Sequence, residues 1–221
     1  MAFSSKETGS LIALTVLSAG LAAAQEIKFE VRHDHLRKGC TGTMTVDAEG
    51  ISFHGPKEHG WHWEYRDIQE LKLAPDRIHL LSYWDNKRLL GADREFDFSG
   101  KIPNELYALW KGRLDRRFVA EIADPEVKAV WEVPVKHLGR IMGSEGMLEI
   151  GEDRIVYRTD RRDDSRSWRL SDIDNISSAG PLEFSIHTPE KTFRFQLKQV
   201  LSEDRYNDLW RKLNDTKGRQ P

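Results

Sequence analysis

The chain contains one sequence pattern twice. Phe29-Glu30-Val31 and the later His35-Leu36 recur as Trp131-Glu132-Val133 and His137-Leu138, at a constant offset of 102 residues. A repeat of this length exceeds the periods of solenoid repeats, about 20–50 residues, so it predicts two copies of one small domain. The further matching pairs are Gly42 and Gly146, Ile51 and Ile155, Trp63 and Trp168, Asp67-Ile68 and Asp172-Ile173, Phe96-x-Phe98 and Phe193-x-Phe195, and Leu109-Trp110 and Leu209-Trp210.

Both copies show the alternation of apolar and polar residues that is typical of strands. Trp61, Trp63 and Tyr65, for example, alternate with charged or polar residues, which places one set of side chains on a core face. Glycine, proline and aspartate separate these runs as turn residues. We predict seven strands per copy, starting near Ile27, Cys40, Ile51, Trp61, Ile68, Arg77 and Arg94, and near Val130, Gly146, Arg154, Arg166, Ile173, Leu182 and Thr192.

A helix closes each copy in this prediction, because apolar residues there recur at helical spacing. Pro103-Asn104 and Ser202 are suitable start signals. An apolar helix face must be buried against other elements, so we expect both helices to bury a tryptophan on the sheet. The apolar positions are Leu106, Leu109, Trp110 and Leu114 in the first copy, and Tyr206, Leu209, Trp210 and Leu213 in the second.

In this order of elements each copy resembles the pleckstrin-homology-like (PH-like) superfold, in particular its GRAM and bacterial PH-like branch. The resemblance implies a mainly β fold with α: two tandem PH-like seven-stranded barrels, each capped by a C-terminal helix. It also implies a binding scaffold for lipid headgroups, peptides or other proteins. The motifs that carry it are Gly42-x-x-x-Val46, Gly50-Ile51-x-Phe53, Trp63-x-Tyr65-x-Asp67-Ile68, Phe96-x-Phe98 and Leu109-Trp110, and in the second copy Gly146-x-x-x-Ile150, Ile155-x-Tyr157, Trp168-x-Leu170-x-Asp172-Ile173, Phe193-x-Phe195 and Leu209-Trp210.

The N-terminus predicts an exported protein. Ser10–Ala24 is an uncharged run of 15 residues that ends in three alanines, which suits a cleaved signal peptide with Gln25 as the mature start. The run is shorter than the ~20 residues that cross a bilayer, although an uncleaved N-terminal anchor is the alternative. We expect a periplasmic or secreted protein without a transmembrane span in the mature chain. The predicted divisions are 1–24 signal peptide, 25–114 first domain, 115–129 packed linker, 130–213 second domain and 214–221 polar tail.

Composition excludes some classes of function. The 34 Lys and Arg nearly balance the 36 Asp and Glu, without a long basic block, so we expect no nucleic-acid partner. The single cysteine, Cys40, cannot form an internal disulfide, and we interpret it as a small half-buried filler. No phosphate-binding loop, nucleophile elbow or carboxylate pair is recognisable, so we expect neither an enzyme nor a bound cofactor.

Two groups of residues are candidates for ligand binding. Arg37 and Lys38 follow the first strand, and Arg140 follows its counterpart in the second copy. In PH-like domains this loop often docks phosphorylated headgroups, and cations there could hold a phosphate or carboxylate, although a solvated turn is the alternative. Trp61 and Trp84 have no counterparts in the other copy, so they could form an interaction surface or pack between domains.

Histidines provide the alternative site. Six of the eight lie in the first copy, and three imidazoles from His33, His35, His59 and His62 could hold zinc or copper if they converge, although no tight spacing such as His-x-x-x-His is present. The competing interpretation is a set of surface histidines, and the match of His35 with His137 favours a structural role for His35. We therefore expect an exported, non-catalytic binding or scaffold protein that recognises a peptide, protein or lipid headgroup through loops or by adding a partner strand. The alternative is a periplasmic metal-binding protein, and a hydrolase comes third.

Overall fold

The computed structural model describes residues 26–34, 39–57, 59–86, 91–139, 142–161 and 164–218. Within them the chain is mainly β with two helices, as predicted, and every predicted strand begins within two residues of its expected start. One short strand between the two sets was not predicted. The elements are β1 (Ile27–His33), β2 (Cys40–Val46), β3 (Gly50–His54), β4 (Gly60–Glu64), β5 (Ile68–Ala74), β6 (Arg77–Asp85), β7 (Asp93–Ser99), α1 (Glu105–Arg113), β8 (Phe118–Ala120), β9 (Trp131–His137), β10 (Ser144–Ile150), β11 (Arg154–Arg158), β12 (Arg166–Arg169), β13 (Asn175–Gly180), β14 (Glu183–His187), β15 (Thr192–Leu197) and α2 (Glu203–Gly218).

All of these strands belong to one open sheet of 15 strands, in the order β13-β14-β15-β9-β10-β11-β12-β8-β5-β6-β7-β1-β2-β3-β4. The prediction of two closed barrels is therefore wrong. The unpredicted strand β8 explains the difference. It pairs in parallel with β5, from Leu71 opposite Phe118 to Leu73 opposite Ala120, and its Ala120 pairs with Ser167 of β12. The linker strand thus pairs with β5 and β12, the strands that would pair within their own halves if each half were a closed barrel.

The two halves of the sheet nevertheless share one strand order. The first half (β1–β7 with α1) reads β5-β6-β7-β1-β2-β3-β4, and the second half (β9–β15 with α2) reads β13-β14-β15-β9-β10-β11-β12. Each half also has its own hydrophobic core, and α1 contributes to the first while α2 contributes to the second.

Strand register corrects one part of the predicted repeat. His33 lies opposite Cys40 in the β1–β2 hairpin, and His137 lies opposite Ser144 in the β9–β10 hairpin. The counterpart of His137 is therefore His33, at an offset of 104, and not His35. A shift of two residues keeps every side chain on the same face of a strand, so alternation alone could not reveal it.

The two helices bury different side chains. In α1, Leu106, Tyr107 and Trp110 are buried, and Trp110 is completely enclosed. In α2, Leu209 and Leu213 are buried, but Trp210 is 46% exposed, so the prediction that Trp210 faces the core is wrong. Leu209 and Leu213 are four residues apart and therefore lie on the same face of the helix, which faces the core. Trp210 follows Leu209 directly and therefore points to the side of this face.

Polar contacts join the halves beside β8. The Arg169 guanidinium of β12 donates to the carbonyls of Lys111, at 2.5 Å, and Leu114, at 2.7 Å, at the C-terminal end of α1. The carboxylate of Asp124 is fully buried and forms a salt bridge with Arg154 of β11. These contacts hold the segment after α1 against the second half. None of the described helices combines the length and the apolar character needed to cross a membrane.

Candidate metal centre

The β1–β2 hairpin brings together two side chains that can ligate a metal. His33 is the last residue of β1, and Cys40 is the first residue of β2, directly opposite it. Neighbours across a hairpin point to the same face of the sheet, so the imidazole and the thiol share one side. His33 is 7% exposed, and Cys40 is half-buried.

The turn between β3 and β4 places a second imidazole beside them. The Gly55 N–H donates to the His59 carbonyl at 2.7 Å, and the His59 N–H donates to the Pro56 carbonyl at 3.1 Å. Lys57 in this turn adopts a positive φ of 55°. A Cβ on Gly55 would lie 2.7 Å from the His59 carbonyl oxygen, so glycine lets the turn close tightly enough to present His59.

The three side chains converge at metal-binding distances. Cys40 Sγ lies 3.4 Å from His59 Nδ1. The ligating atoms of His33, Cys40 and His59 all lie within 4.8 Å of one another. Bond lengths of about 2.0–2.1 Å to nitrogen and about 2.3 Å to sulfur put two ligands of one ion roughly 3.5 Å apart. Small side-chain rotations would therefore let all three reach a single ion.

Aromatic rings form the wall of this cluster. The Trp61 ring centroid lies 4.9 Å from that of His33 and 4.4 Å from that of His59. Phe98 lies 5.1 Å from His33 on the core side. Burial in these surroundings raises the pKa of the Cys40 thiol, although a hydrogen bond from its own backbone lowers it. A metal ion that binds here would have to displace the thiol proton.

A glycine beside the cluster lets the wall pack closely. A Cβ on Gly42 would lie 2.4 Å from the His54 carbonyl oxygen and 2.7 Å from the Phe53 ring. The Phe53 ring in turn stacks on Trp61 at 5.7 Å. The second half repeats this close approach, because a Cβ on Gly146 would lie 2.8 Å from the Tyr157 ring.

The structure brings together two of the four predicted metal ligands and adds a third. His33 and His59 converge, whereas His62 is exposed and its Nδ1 pairs with the Ser52 hydroxyl at 2.8 Å. His35 lies outside the described residues. Cys40 was not predicted as a ligand, because no short ligand spacing joins it to His33 or His59 in the sequence. The signal that could have found it is the hairpin register, which places positions 33 and 40 opposite each other.

The other candidate residues have different settings. Trp61 and Trp84 are both half-buried against the first core, where Trp84 stacks on Trp63 at 5.8 Å. Arg37, Lys38 and Arg140 lie outside the described residues. Trp61 is thus the only one of these five that the described residues place at the cluster, where it forms the wall.

The corresponding position in the second half carries oxygen donors. His137 packs on Phe195 at 5.2 Å, as His33 packs on Phe98, but Ser144 stands where the first half has Cys40. The Tyr157 hydroxyl donates to the Ser144 carbonyl and lies 2.9 Å from the Ser144 hydroxyl. The second half therefore repeats the architecture of this corner without its sulfur, and offers an internal control.

No family model matches the chain. No curated protein matches it either. Among solved structures, the N-terminal PH domain of human ARAP2 is similar, with 19% identity, 41% of this chain and 84% of that chain covered, and a TM-score of 0.31. The Spt16D Pob3N heterodimer has 12% identity, covers 80% of this chain and 99% of that chain, and has a TM-score of 0.31. The C-terminal domain of an unknown protein from Leishmania infantum has 13% identity, 39% and 84% coverage, and a TM-score of 0.33. The similar structures thus include PH domains, at TM-scores too low to assign a ligand.

Proposed function

We propose that this protein is an exported, non-catalytic binding protein whose first half holds a soft transition metal ion through His33, Cys40 and His59. One observation supports this function above the others: the ligating atoms of the three side chains lie within 4.8 Å of one another. Thiolate and imidazole are the donors that zinc and copper favour. Export rests on the predicted signal peptide at 1–24.

The scaffold of this proposal is a tandem pair of PH-like units that share one sheet. Its support is the equal strand order of the two halves, each followed by a helix that contributes to its own core. The metal position lies at the end of the first hairpin, where β1 meets β2. The second unit has a serine at the same corner, so the proposal places the metal in the first unit.

Metal titration tests the proposal directly. Full-length protein is stripped with a chelator, loaded separately with Zn(II) and, without oxygen, with Cu(I), and analysed for metal content after desalting. We expect one equivalent of one of these metals per chain, and a raised melting temperature, because an ion that binds only the folded state stabilises it. Binding should be lost in Cys40→Ser and in His59→Gln.

His62→Gln is the matched control, because His62 is an exposed histidine of the same region that pairs with Ser52 instead. It should bind metal as the wild type does. Circular dichroism of all variants checks that each is folded. Absence of any bound metal in folded wild-type protein would refute the proposed function, and so would equal metal content in wild type and both ligand variants.

A second candidate function follows from the open sheet. Its two terminal strands, β4 and β13, each pair on one side only within the described residues. Such an edge can accept a strand from a peptide or protein partner. Co-purification from an envelope extract should then enrich a protein, and lysines at the exposed edge positions His62 and Ser178 should remove it, because edge lysines oppose strand addition. Enrichment that is unchanged in both lysine variants would contradict this function.

A further inference from the structure

We infer that the ion held by His33, Cys40 and His59 is monovalent copper, Cu(I), bound by these three donors with the Trp61 ring as the wall of the site. This inference rests on the proposed function and names its ligand. Because the inference specifies both the metal and its oxidation state, an experiment can refute it without refuting metal binding.

The charge of the donor set favours a monovalent ion. One thiolate and two neutral imidazoles carry a total charge of −1, so Cu(I) gives a neutral centre and a divalent ion leaves one positive charge. His33 is nearly fully buried, and its ring lies among Phe53, Phe98 and Trp61. Burying a charge in apolar surroundings is costly, so the neutral Cu(I) centre is the one that this set of donors favours.

The chemical softness of the donors points the same way. Sulfur ligands select Cu(I) and zinc over the harder cations, and imidazole accepts copper as well as zinc. Cu(I) accepts trigonal coordination by three donors alone, whereas zinc with three protein ligands takes a water or another group as the fourth. Among the described residues, three donors converge at this corner of the sheet, and three donors are enough for Cu(I).

The tryptophan wall contacts both imidazoles. The Trp61 ring meets both imidazole rings nearly edge-on, with interplanar angles of 69° to His33 and 71° to His59. Trp61 therefore stays within a few ångströms of any ion that both imidazoles bind. The Arg94 guanidinium lies over the Trp61 ring, 5.1 Å from its centroid, and the tryptophan gives the site a fluorescent reporter.

Comparison with the second half indicates that the sulfur of Cys40 has a specific role. At the same hairpin position it has Ser144, whose hydroxyl pairs with Tyr157, and Arg166 of β12 occupies the position of Trp61. The fold therefore accepts serine and arginine at these positions. The soft donor and the aromatic wall are features of the first half and are not required by the sheet itself.

Anaerobic competition tests the inference. Full-length protein is titrated with Cu(I) buffered by a chromogenic Cu(I) chelator, with tryptophan emission recorded in parallel, and separately with Zn(II) against a zinc chelator. We expect one Cu(I) per chain, held more tightly than Zn(II), with quenched emission. X-ray absorption at the copper edge should report one sulfur and two nitrogen neighbours.

Variants separate the parts of the site. Cys40→Ser, which installs the residue of the second half, should weaken Cu(I) binding by roughly 100-fold or more. His59→Gln should do the same, and so provides a second variant if Cys40→Ser does not fold. Trp61→Phe should retain one Cu(I) but lose most of the quenching. His137→Gln, at the corresponding position of the second half, should bind Cu(I) as the wild type does.

The outcomes distinguish this inference from the proposed function. If Zn(II) binds through Cys40 and His59 at least as tightly as Cu(I), the copper inference is overturned and the metal-binding function remains. If neither ion binds to folded protein, both are refuted. If Cu(I) binds but the two ligand variants retain full affinity, the copper lies elsewhere and the inference is overturned.

Discussion

His33 and His137 occupy the same position in the two halves of the protein. Each ends the first strand of its half, and each ring packs on a phenylalanine of the last strand, at 5.1 Å for Phe98 and 5.2 Å for Phe195. The residue opposite each histidine differs, with Cys40 in the first half and Ser144 in the second. The same structural position is thus part of the proposed metal-ligand set in one half and of a hydroxyl network in the other.

The setting of His137 predicts an acid-dependent loss of stability. Burial lowers the pKa of His137, with a smaller opposing influence from Asp164. Its proton is therefore bound more tightly in the unfolded chain, where the pKa is about 6.5. The free energy of unfolding should hold its full value above about pH 6.5 and fall as the pH decreases toward the lowered pKa of the folded state.

Urea unfolding of the wild type and of His137→Leu between about pH 5 and pH 7.5 measures this effect. The variant should show a shallower dependence of unfolding free energy on pH in this range. An equal slope in both proteins would show that His137 does not titrate differently on folding.

The buried carboxylate of Asp124 should be essential for stability. Burial opposes its ionisation, but the Glu126 N–H, the Arg154 guanidinium and the Tyr107 hydroxyl together hold the pKa of Asp124 below its usual value. Because the folded pKa is depressed, this stabilisation is present above about pH 3.8 and is lost as the pH falls through the folded-state value. Asp124→Asn should lower the free energy of unfolding by about 3–5 kcal/mol at neutral pH, since it removes the buried member of the ion pair with Arg154.

Asp153→Asn is the control for that measurement. Asp153 pairs with the same guanidinium, but its side chain is 67% exposed. Its loss should cost about 1 kcal/mol or less, as is usual for exposed ion pairs. Chemical denaturation of the two variants should therefore separate them clearly, and similar losses would contradict a special role for the buried carboxylate.

The two helix tryptophans should differ in their effect on stability. Trp110 is completely buried in the first core, so Trp110→Ala should lower the free energy of unfolding by about 3–5 kcal/mol. Trp210 is 46% exposed, so Trp210→Ala should cost about 1 kcal/mol or less. Thermal unfolding of both variants tests this difference, and an equal loss would mean that α2 packs through Trp210 after all.

Gly42 should not tolerate a side chain. A Cβ there would meet both the His54 carbonyl and the Phe53 ring, so Gly42→Ala should destabilise by about 1–3 kcal/mol. Gly112 in α1 has no atom within 4 Å of its Cβ position, and Gly112→Ala should be neutral or stabilise by up to about 1 kcal/mol. Calorimetry of the pair tests the prediction. A neutral Gly42→Ala would show that the Phe53 ring can move away without cost.

The sequence predicts the local elements of this fold well, because alternation and turn residues act over short distances. The strands from β1 to β7 and both helices follow from them. β8 was not predicted as a strand, since a three-residue segment such as Phe118–Ala120 has too few positions to show a period. The prediction of closed barrels was wrong for the same reason, because β8 pairs with the edge strands β5 and β12 and so joins the two halves into one sheet.

In the candidate site, too, local features could be predicted and features that depend on strand pairing could not. His33 and His59 could be proposed from residue type alone, whereas the place of Cys40 beside them depends on the β1–β2 register, which residue type does not give. The exposure of Trp210 could not be foreseen either. Helical spacing marks a stripe of candidates, but the rotation of the helix on the core decides which of them is enclosed.

Strand β8 has a consequence for cutting this protein in two. Its backbone hydrogen-bonds to β5 of the first half on one side and to β12 of the second half on the other, so both halves depend on it for strand pairing. A fragment that stops after α1 would leave the edge of β5 bare and prone to aggregation. Dissection by truncation should therefore yield insoluble pieces, and the two cores should melt in a single cooperative transition.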